Sequence, residues 1–182
     1  MNLEDIKEKL DQAINKFMEK DEYLLNADVN ERSMTHKLAE KLQDEFENYY
    51  VDCEYNKNCG TSNDTKRIGF LENEIKKIDH LKDKTITDKE FYEVSVYPDI
   101  IVHKRGCSED NLLIIEVKKS NRQISEQNYD IHKVKKYTSD KYNDGLDYEF
   151  GAFVVFDLDK LTKDISWYKE GEEIISNKIK RL

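Results

Sequence analysis

Cysteine is sparse and unpatterned: Cys53, Cys59 and Cys107 form an odd set with no C-x-x-C pair. That speaks against a disulfide framework and against a zinc cage, and leaves free thiols of a reducing compartment. No run approaches the ~18 consecutive apolar residues of a membrane-spanning helix. The start, Met1-Asn2-Leu3-Glu4-Asp5-Ile6-Lys7, lacks the basic, apolar and small-residue order of a signal peptide. A soluble cytoplasmic protein without membrane contact is the expectation. Internal repeats and low-complexity segments are absent. With one Pro, one Trp and 37% apolar residues among 182, the chain can bury one sizeable core and falls short of two.

Positive charge is in deficit, and the formal net charge is -9. This argues against a surface that grips a phosphate backbone all over, because such binding works through Lys and Arg displacing counterions. A local basic cleft is still allowed. Between positions 118 and 136 the chain carries Lys118, Lys119, Arg122, Lys133, Lys135 and Lys136 against Glu126 and Asp130. Charged residues make up 38% of the chain, but they segregate from the apolar ones into amphipathic and fully apolar runs, so the chain is expected to fold.

Leu3, Ile6, Leu10, Ala13, Ile14 and Phe17 recur at three- and four-residue steps and predict a helix through about residue 19, either an accessory element or a dimer surface. Met34, Leu38, Leu42 and Phe46 predict a second helix over 28–48, capped by Asp28 or Asn30. Residues 49–55 alternate and read as a strand, and the polar stretch 56–90 reads as a connection with a short helix at 70–81. Two strands are predicted over 93–104 and 111–119 around the turn residues 105–110. A helix over 125–142 follows on Ile131, Val134 and Tyr137, then a buried strand at 150–156, an edge strand at 165–169 and a final helix at 172–179. The expected fold class is α/β, three layers α-β-α around a mixed central sheet of about four or five strands. It forms a single domain over 1–182, with an accessory helix in 1–26, a core over 30–157 and a terminal strand and helix in 158–182.

Two neighbouring apolar runs carry the chemistry: Val96-Tyr97-Pro98-Asp99-Ile100-Ile101-Val102 and Leu112-Leu113-Ile114-Ile115-Glu116-Val117-Lys118. Strands buried on both faces have little reason to hold charges, whose desolvation is costly unless something pairs them. A divalent cation would be that reason. Alternation puts Glu116 and Lys118 on one face and Val117 on the other. If the strands are antiparallel neighbours, Asp99 near the start of one and Glu116 near the end of the other share one end of the sheet. Mg²⁺ takes one or two protein carboxylates, with waters and phosphate oxygens completing its shell. Asp99 and Glu116 are therefore the candidate ligands, the Val117 carbonyl a third oxygen, and Mn²⁺ an alternative ion. Lys118 is placed to orient or help deprotonate a water and to steady charge on a phosphate, which points to phosphodiester hydrolysis.

Pro98-Asp99 followed by Glu116-Val117-Lys118 resembles the PD-(D/E)xK nuclease superfamily, which includes restriction endonucleases and archaeal Holliday junction resolvases. The resemblance covers about 30–157 and implies a restriction-endonuclease-like core of helix, three strands, helix and strand. It also implies metal-dependent cleavage of nucleic acid, DNA ahead of RNA, with Asp99, Glu116 and Lys118 in the roles above. The superfamily often adds an acid from the helix before the first strand, and Glu31 and Glu40 compete for that place. At ~100° per residue Glu31 lies near the stripe of Leu38 and Leu42, whereas Glu40 falls opposite, so Glu31 is the candidate auxiliary acid.

Lys66, Arg67, Lys119, Arg122, Lys133 and Lys136 are candidate nucleic-acid contacts, and Tyr49, Tyr50, Tyr55, Tyr129 and Tyr137 candidate stacking platforms. His36 reads as a solvated helix residue and His103 as a packing residue. The competing roles are a structural Glu116–Lys118 ion pair, a turn role for Asp99 and a helix-start role for Glu31. Two rival functions stand beside the nuclease: a non-catalytic module on the same fold that binds nucleic acid or protein, and a nuclease subunit completed by a dimer mate or another polypeptide.

Overall fold

The computed structural model describes residues 1–27, 29–57, 65–71, 91–106, 110–139 and 146–176. In chain order the elements are α1 (Leu3–Lys20), α2 (Glu22–Asn26), α3 (Glu31–Glu45), β1 (Tyr50–Cys53), β2 (Arg67–Leu71), β3 (Phe91–Ser95), β4 (Ile100–His103), β5 (Asn111–Lys119), α4 (Ile124–Tyr137), β6 (Phe150–Asp157), β7 (Thr162–Lys169) and β8 (Glu172–Ser176). Six strands form one mixed sheet in the order β1-β4-β5-β6-β7-β8, in which β5 and β6 run parallel and every other neighbour antiparallel. β2 and β3 pair separately, antiparallel.

Side-chain alternation along β5 decides the layering. Leu113, Ile115 and Val117 join the α1 and α3 side chains Ile6, Leu10, Phe17, Met34 and Leu38 in one core. Ile114 turns the other way and packs with Tyr137 of α4 and with Ile68 and Phe70 of β2. The sheet is thus sandwiched between helices, the three-layer α/β arrangement expected. It has six strands where about four or five were expected, because the C-terminal region supplies two of them.

The Asn2 side chain caps α1 by accepting the Asp5 N–H at 2.9 Å. The apolar stripe of α1 is spent inside the molecule: Ile6, Leu10, Ala13, Ile14 and Phe17 are buried, with Phe17 edge-on to Phe156 at 5.6 Å. The helix is therefore built into the main core, and that stripe is not a surface left open for a second chain. Asn30 caps α3, taking the Ser33 N–H at 2.9 Å, while the other candidate cap, Asp28, lies outside the described residues.

Four expected elements differ. The strand expected at the edge over 165–169 is β7, which lies between β6 and β8 and leaves β8 at the edge. The strand predicted over 93–104 breaks into β3 and β4, which belong to different sheets, at Val96-Tyr97-Pro98-Asp99. Pro98 has no N–H to give a ladder, which is a sufficient reason for the interruption. Phe70 and Leu71, expected to open a short helix, instead end β2, and the rest of 70–81 lies outside the described residues. The final helix predicted at 172–179 is strand β8, paired with β7 through Tyr168↔Glu173 and Lys169↔Glu172, with 177–179 outside the described residues.

Candidate active site

The β4–β5 register fixes the site. Ile100 faces Ile115 and Ile101 faces Ile114, so one step further Asp99 stands opposite Glu116 at the rim of the sheet. β4 ends there, and the Val117 N–H donates to Asp99 Oδ2 at 2.8 Å. The Val117 amide, which the sequence reading passed over for its carbonyl, is thus the group that meets Asp99. Its side chain lies in the opposite core, as alternation requires.

Glu116 and Lys118 share the α4 face of the sheet and meet charges there. Glu116 is fully buried, and Lys133 of α4 donates to its Oε2 at 2.7 Å. Lys133 also lies 2.8 Å from Asp130 Oδ1, one turn back on the helix. Lys118 is held between Glu31 Oε2 at 3.2 Å and Asp130 Oδ2 at 3.1 Å, the second an ion pair without hydrogen-bond alignment. Glu31, at the first turn of α3, uses Oε1 to accept the Lys119 backbone N–H and the Arg122 Nε–H, both at 3.2 Å. Four carboxylates, Glu31, Asp99, Glu116 and Asp130, thus gather with the cations Lys118, Lys133 and Arg122. Of the two candidate acids on α3, Glu31 is the one that reaches the sheet. Glu40 stays outside with His36, Lys37 and Lys41.

Burial and charge shift these groups in opposite directions. Burial pushes the Asp99 and Glu116 carboxyls above their usual values, and the neighbouring Lys133 ammonium only partly offsets it. Glu31 is also penalised by burial, but Lys118, the Lys119 amide and Arg122 together outweigh that and hold it below its usual value. For Lys118 burial works against the charge, yet Asp130 and Glu31 win and raise its pKa; Lys133 is raised in the same way by Glu116, Asp130 and Asp99. Both lysines are committed cations.

Asp99 is crowded by neighbouring atoms but open on one side, where it lines a cleft of about 210 Å³ with Arg32, Thr35, His36, Cys53 and Glu54. Glu54 and Arg32 bridge that cleft at 2.8 Å. Burial, followed by the charge of Asp99, pushes the free thiol of Cys53 up to about 11. Such a thiol is a poor nucleophile.

The expected basic contacts fare differently. Lys119 is buried and donates to the Val29 carbonyl, and Lys66 is buried over the Tyr55 ring. Lys136 is buried over the Phe70 ring, and Arg67 is half-buried on β2. Lys133 belongs to the carboxylate cluster, so of the six only Arg122, 44% exposed at its side chain, stands well into solvent. Tyr137 is fully buried, Tyr129 stacks on Phe70 at 6.2 Å, and Arg105 covers Tyr50 at 4.6 Å. His103 packs as expected, bonded to Asp52 at 2.8 Å and tilted against Tyr55.

Asp130 and the inward turn of Lys133 were missed in the sequence. The signal was present, because Asp130 is in helical phase with Val134 and Tyr137, the residues that mark the buried stripe of α4. Among the described residues no three His, Cys, Asp or Glu donors converge as they would around a metal ion, and no helix is long and apolar enough to cross a membrane. No family model, curated protein or solved structure matches this chain.

Proposed function

We propose that this protein is a metal-dependent nuclease of the PD-(D/E)xK type that hydrolyses phosphodiester bonds, with DNA as substrate. The observation that carries the reading is the convergence of Asp99, Glu116, Lys118 and Glu31, from three elements, on one rim of the sheet. Support also comes from the chain order α3, β1, β4, β5, α4, β6, which follows the helix, three strands, helix, strand order that the resemblance implies.

The donor set suits Mg²⁺ or Mn²⁺: Asp99 and Glu116 are hard oxygen donors, and Glu116 Oε1 is buried with no hydrogen-bond partner, an orphan a cation would satisfy. A bound divalent ion would supply Lewis-acid stabilisation of phosphoryl charge and a more acidic water. Asp99 and Glu116 would hold it, with Asp99 itself steadied by the Val117 amide. Lys118, a firm cation, orients the attacking water and offsets charge on the phosphate, and is not the base that removes a proton. Glu31 fixes Lys118 and ties α3 to the end of β5.

The test is to incubate the purified chain with linear, single-stranded and branched DNA in Mg²⁺ or Mn²⁺. Cleavage is expected, and Asp99→Asn or Lys118→Ala is expected to slow it on the order of 10²-fold or more. Undiminished cleavage in either variant defeats the assignment. The alternative is a non-catalytic binding module on the same framework. It draws on Lys133, whose ammonium neutralises Glu116 and Asp130 without any metal. Nucleic-acid binding with no Mn²⁺ affinity would favour it.

A further inference from the structure

Lys133 is not where a lysine on the outer layer of a fold is usually found. Only 12% of its side chain is exposed, and its ammonium reaches down from α4 to touch Glu116 Oε2 at 2.7 Å and Asp130 Oδ1 at 2.8 Å. Long amines normally keep the stem on the protein and the charge in water. Here the charge is the buried end. The reason is electrostatic: Glu116, Asp130 and Asp99 crowd one rim of the sheet, and a folded chain cannot keep such a group desolvated without a cation among them.

One ammonium is nonetheless a poor fit for the vacancy. It has three donors, whereas the two carboxylates it touches offer about eight lone-pair sites. Glu116 Oε1 is left buried with no hydrogen-bond partner. The cluster is neutralised but under-coordinated, which is the condition in which a dication with several coordination positions is the better partner. Lys133 occupies Glu116 Oε2, so a dication drawing on that carboxylate would have to displace it, and the repulsion between the two cations adds to the competition in a desolvated site. The Tyr129 ring, its centroid 5.3 Å from the same Nζ, gives the displaced ammonium a second seat one turn back along α4.

We propose that Lys133 is a resident counter-ion that holds the Glu116–Asp130 carboxylates together in the metal-free protein and competes with the divalent cation for Glu116. This deepens the metal-dependent reading above and rests on it. Lys133 is then a positioning residue that sets metal affinity, and it does not act on the substrate.

The experiment is a Mn²⁺ titration followed by electron paramagnetic resonance on the full chain, comparing the unaltered protein, Lys133→Met and Lys135→Met. Lys135 lies on the same helix with its ammonium near Glu172, so Lys135→Met removes the same charge away from the cluster. Lys133→Met is expected to bind Mn²⁺ about tenfold more tightly or better, while Lys135→Met binds like the unaltered protein. Because Lys133→Met leaves acids unpaired and can fail to fold, a second arm uses the unaltered chain. The Lys133 ammonium resonance, followed by ¹⁵N NMR, is expected to shift as Mg²⁺ is added. Equal or weaker Mn²⁺ binding by folded Lys133→Met, or an unmoved Lys133 resonance under saturating Mg²⁺, overturns the competition and leaves the nuclease reading standing. Absence of Mn²⁺ binding in every protein overturns both.

Discussion

At the scale of single residues, a side chain's partners matter more than its type. Lys118 and Lys133 are both lysines with raised pKa values, kept charged by neighbouring carboxylates, two for Lys118 and three for Lys133, that overcome burial. His103 goes the opposite way. Burial pulls its pKa below 6.5, and the carboxylate of Asp52, which works against that pull, does not cancel it; Lys66 and Arg105 add to it. As the solution is acidified through about pH 6.5 the unfolded chain takes up a proton that the folded imidazole resists. The stability linked to His103 is therefore complete above that pH and is lost as pH falls through the folded value. Asp52 and Glu31, both held below their ordinary values, add a further loss at lower pH. Asp99 and Glu116, held above their ordinary values by burial, work in the opposite sense and gain stability as pH falls. The His103 part is isolated by comparison: between neutrality and about pH 5 the unfolding temperature of the unaltered chain is expected to lose ground relative to that of His103→Gln. Parallel slopes for the two proteins would show that His103 does not titrate in this way.

At the scale of elements, α4 is seated on the sheet over Gly151, which has no side chain. A Cβ added to Gly151 of β6 would stand 2.5 Å from Val134 Cγ1 and 3.0 Å from Thr138 Cγ2, so Gly151→Ala must push α4 outward. Overpacking of this kind costs about 1–3 kcal/mol, to be read from the midpoint of urea unfolding. Because Asp130 and Lys133 ride on α4, cleavage is expected to fall as well; an unchanged midpoint would mean that the helix is not seated against Gly151. The strands that build the site were legible for a physical reason. β4 and β5 are apolar on both faces and bounded by turn residues, so a carboxylate within or just before them is conspicuous. Glu31 was found because its helical phase matched a clean stripe of leucines. β8 was not legible, since Glu172-Glu173-Ile174-Ile175 fits a helix as well as a strand. The informative residues preceded it: Glu170 and Gly171 have φ of 52° and 79°, the left-handed pair that a two-residue hairpin turn requires. Asp130 was legible only through its helical phase with Val134 and Tyr137, and Lys133 was harder still, because a charge on an amphipathic helix is usually solvated and only contact with another element reveals that it points inward.

At the scale of the whole molecule, the proposed function sets an acidic protein against an acidic substrate. The net charge is -9, and Lys66, Lys119, Lys133 and Lys136, which looked available for phosphate, are spent within the fold. Among the described residues two cations stand exposed beside the rim: Arg32, with 81% of its side chain exposed and lining the cleft of Asp99, and Arg122, at 44%. Each phosphate neutralised by a protein cation contributes about -0.9 to the slope of log K against log salt on duplex DNA. Two contacts give a slope of about -2, far shallower than an extended basic groove would give. Fluorescence anisotropy with the non-cleaving Asp99→Asn chain, over a salt series, is expected to return weak binding with that shallow slope. Arg32→Ala and Arg122→Ala should each flatten it by about one. A slope of about -5 or steeper would require a phosphate-binding surface built from other lysines and arginines, and the picture of a substrate held chiefly at the rim would have to be given up.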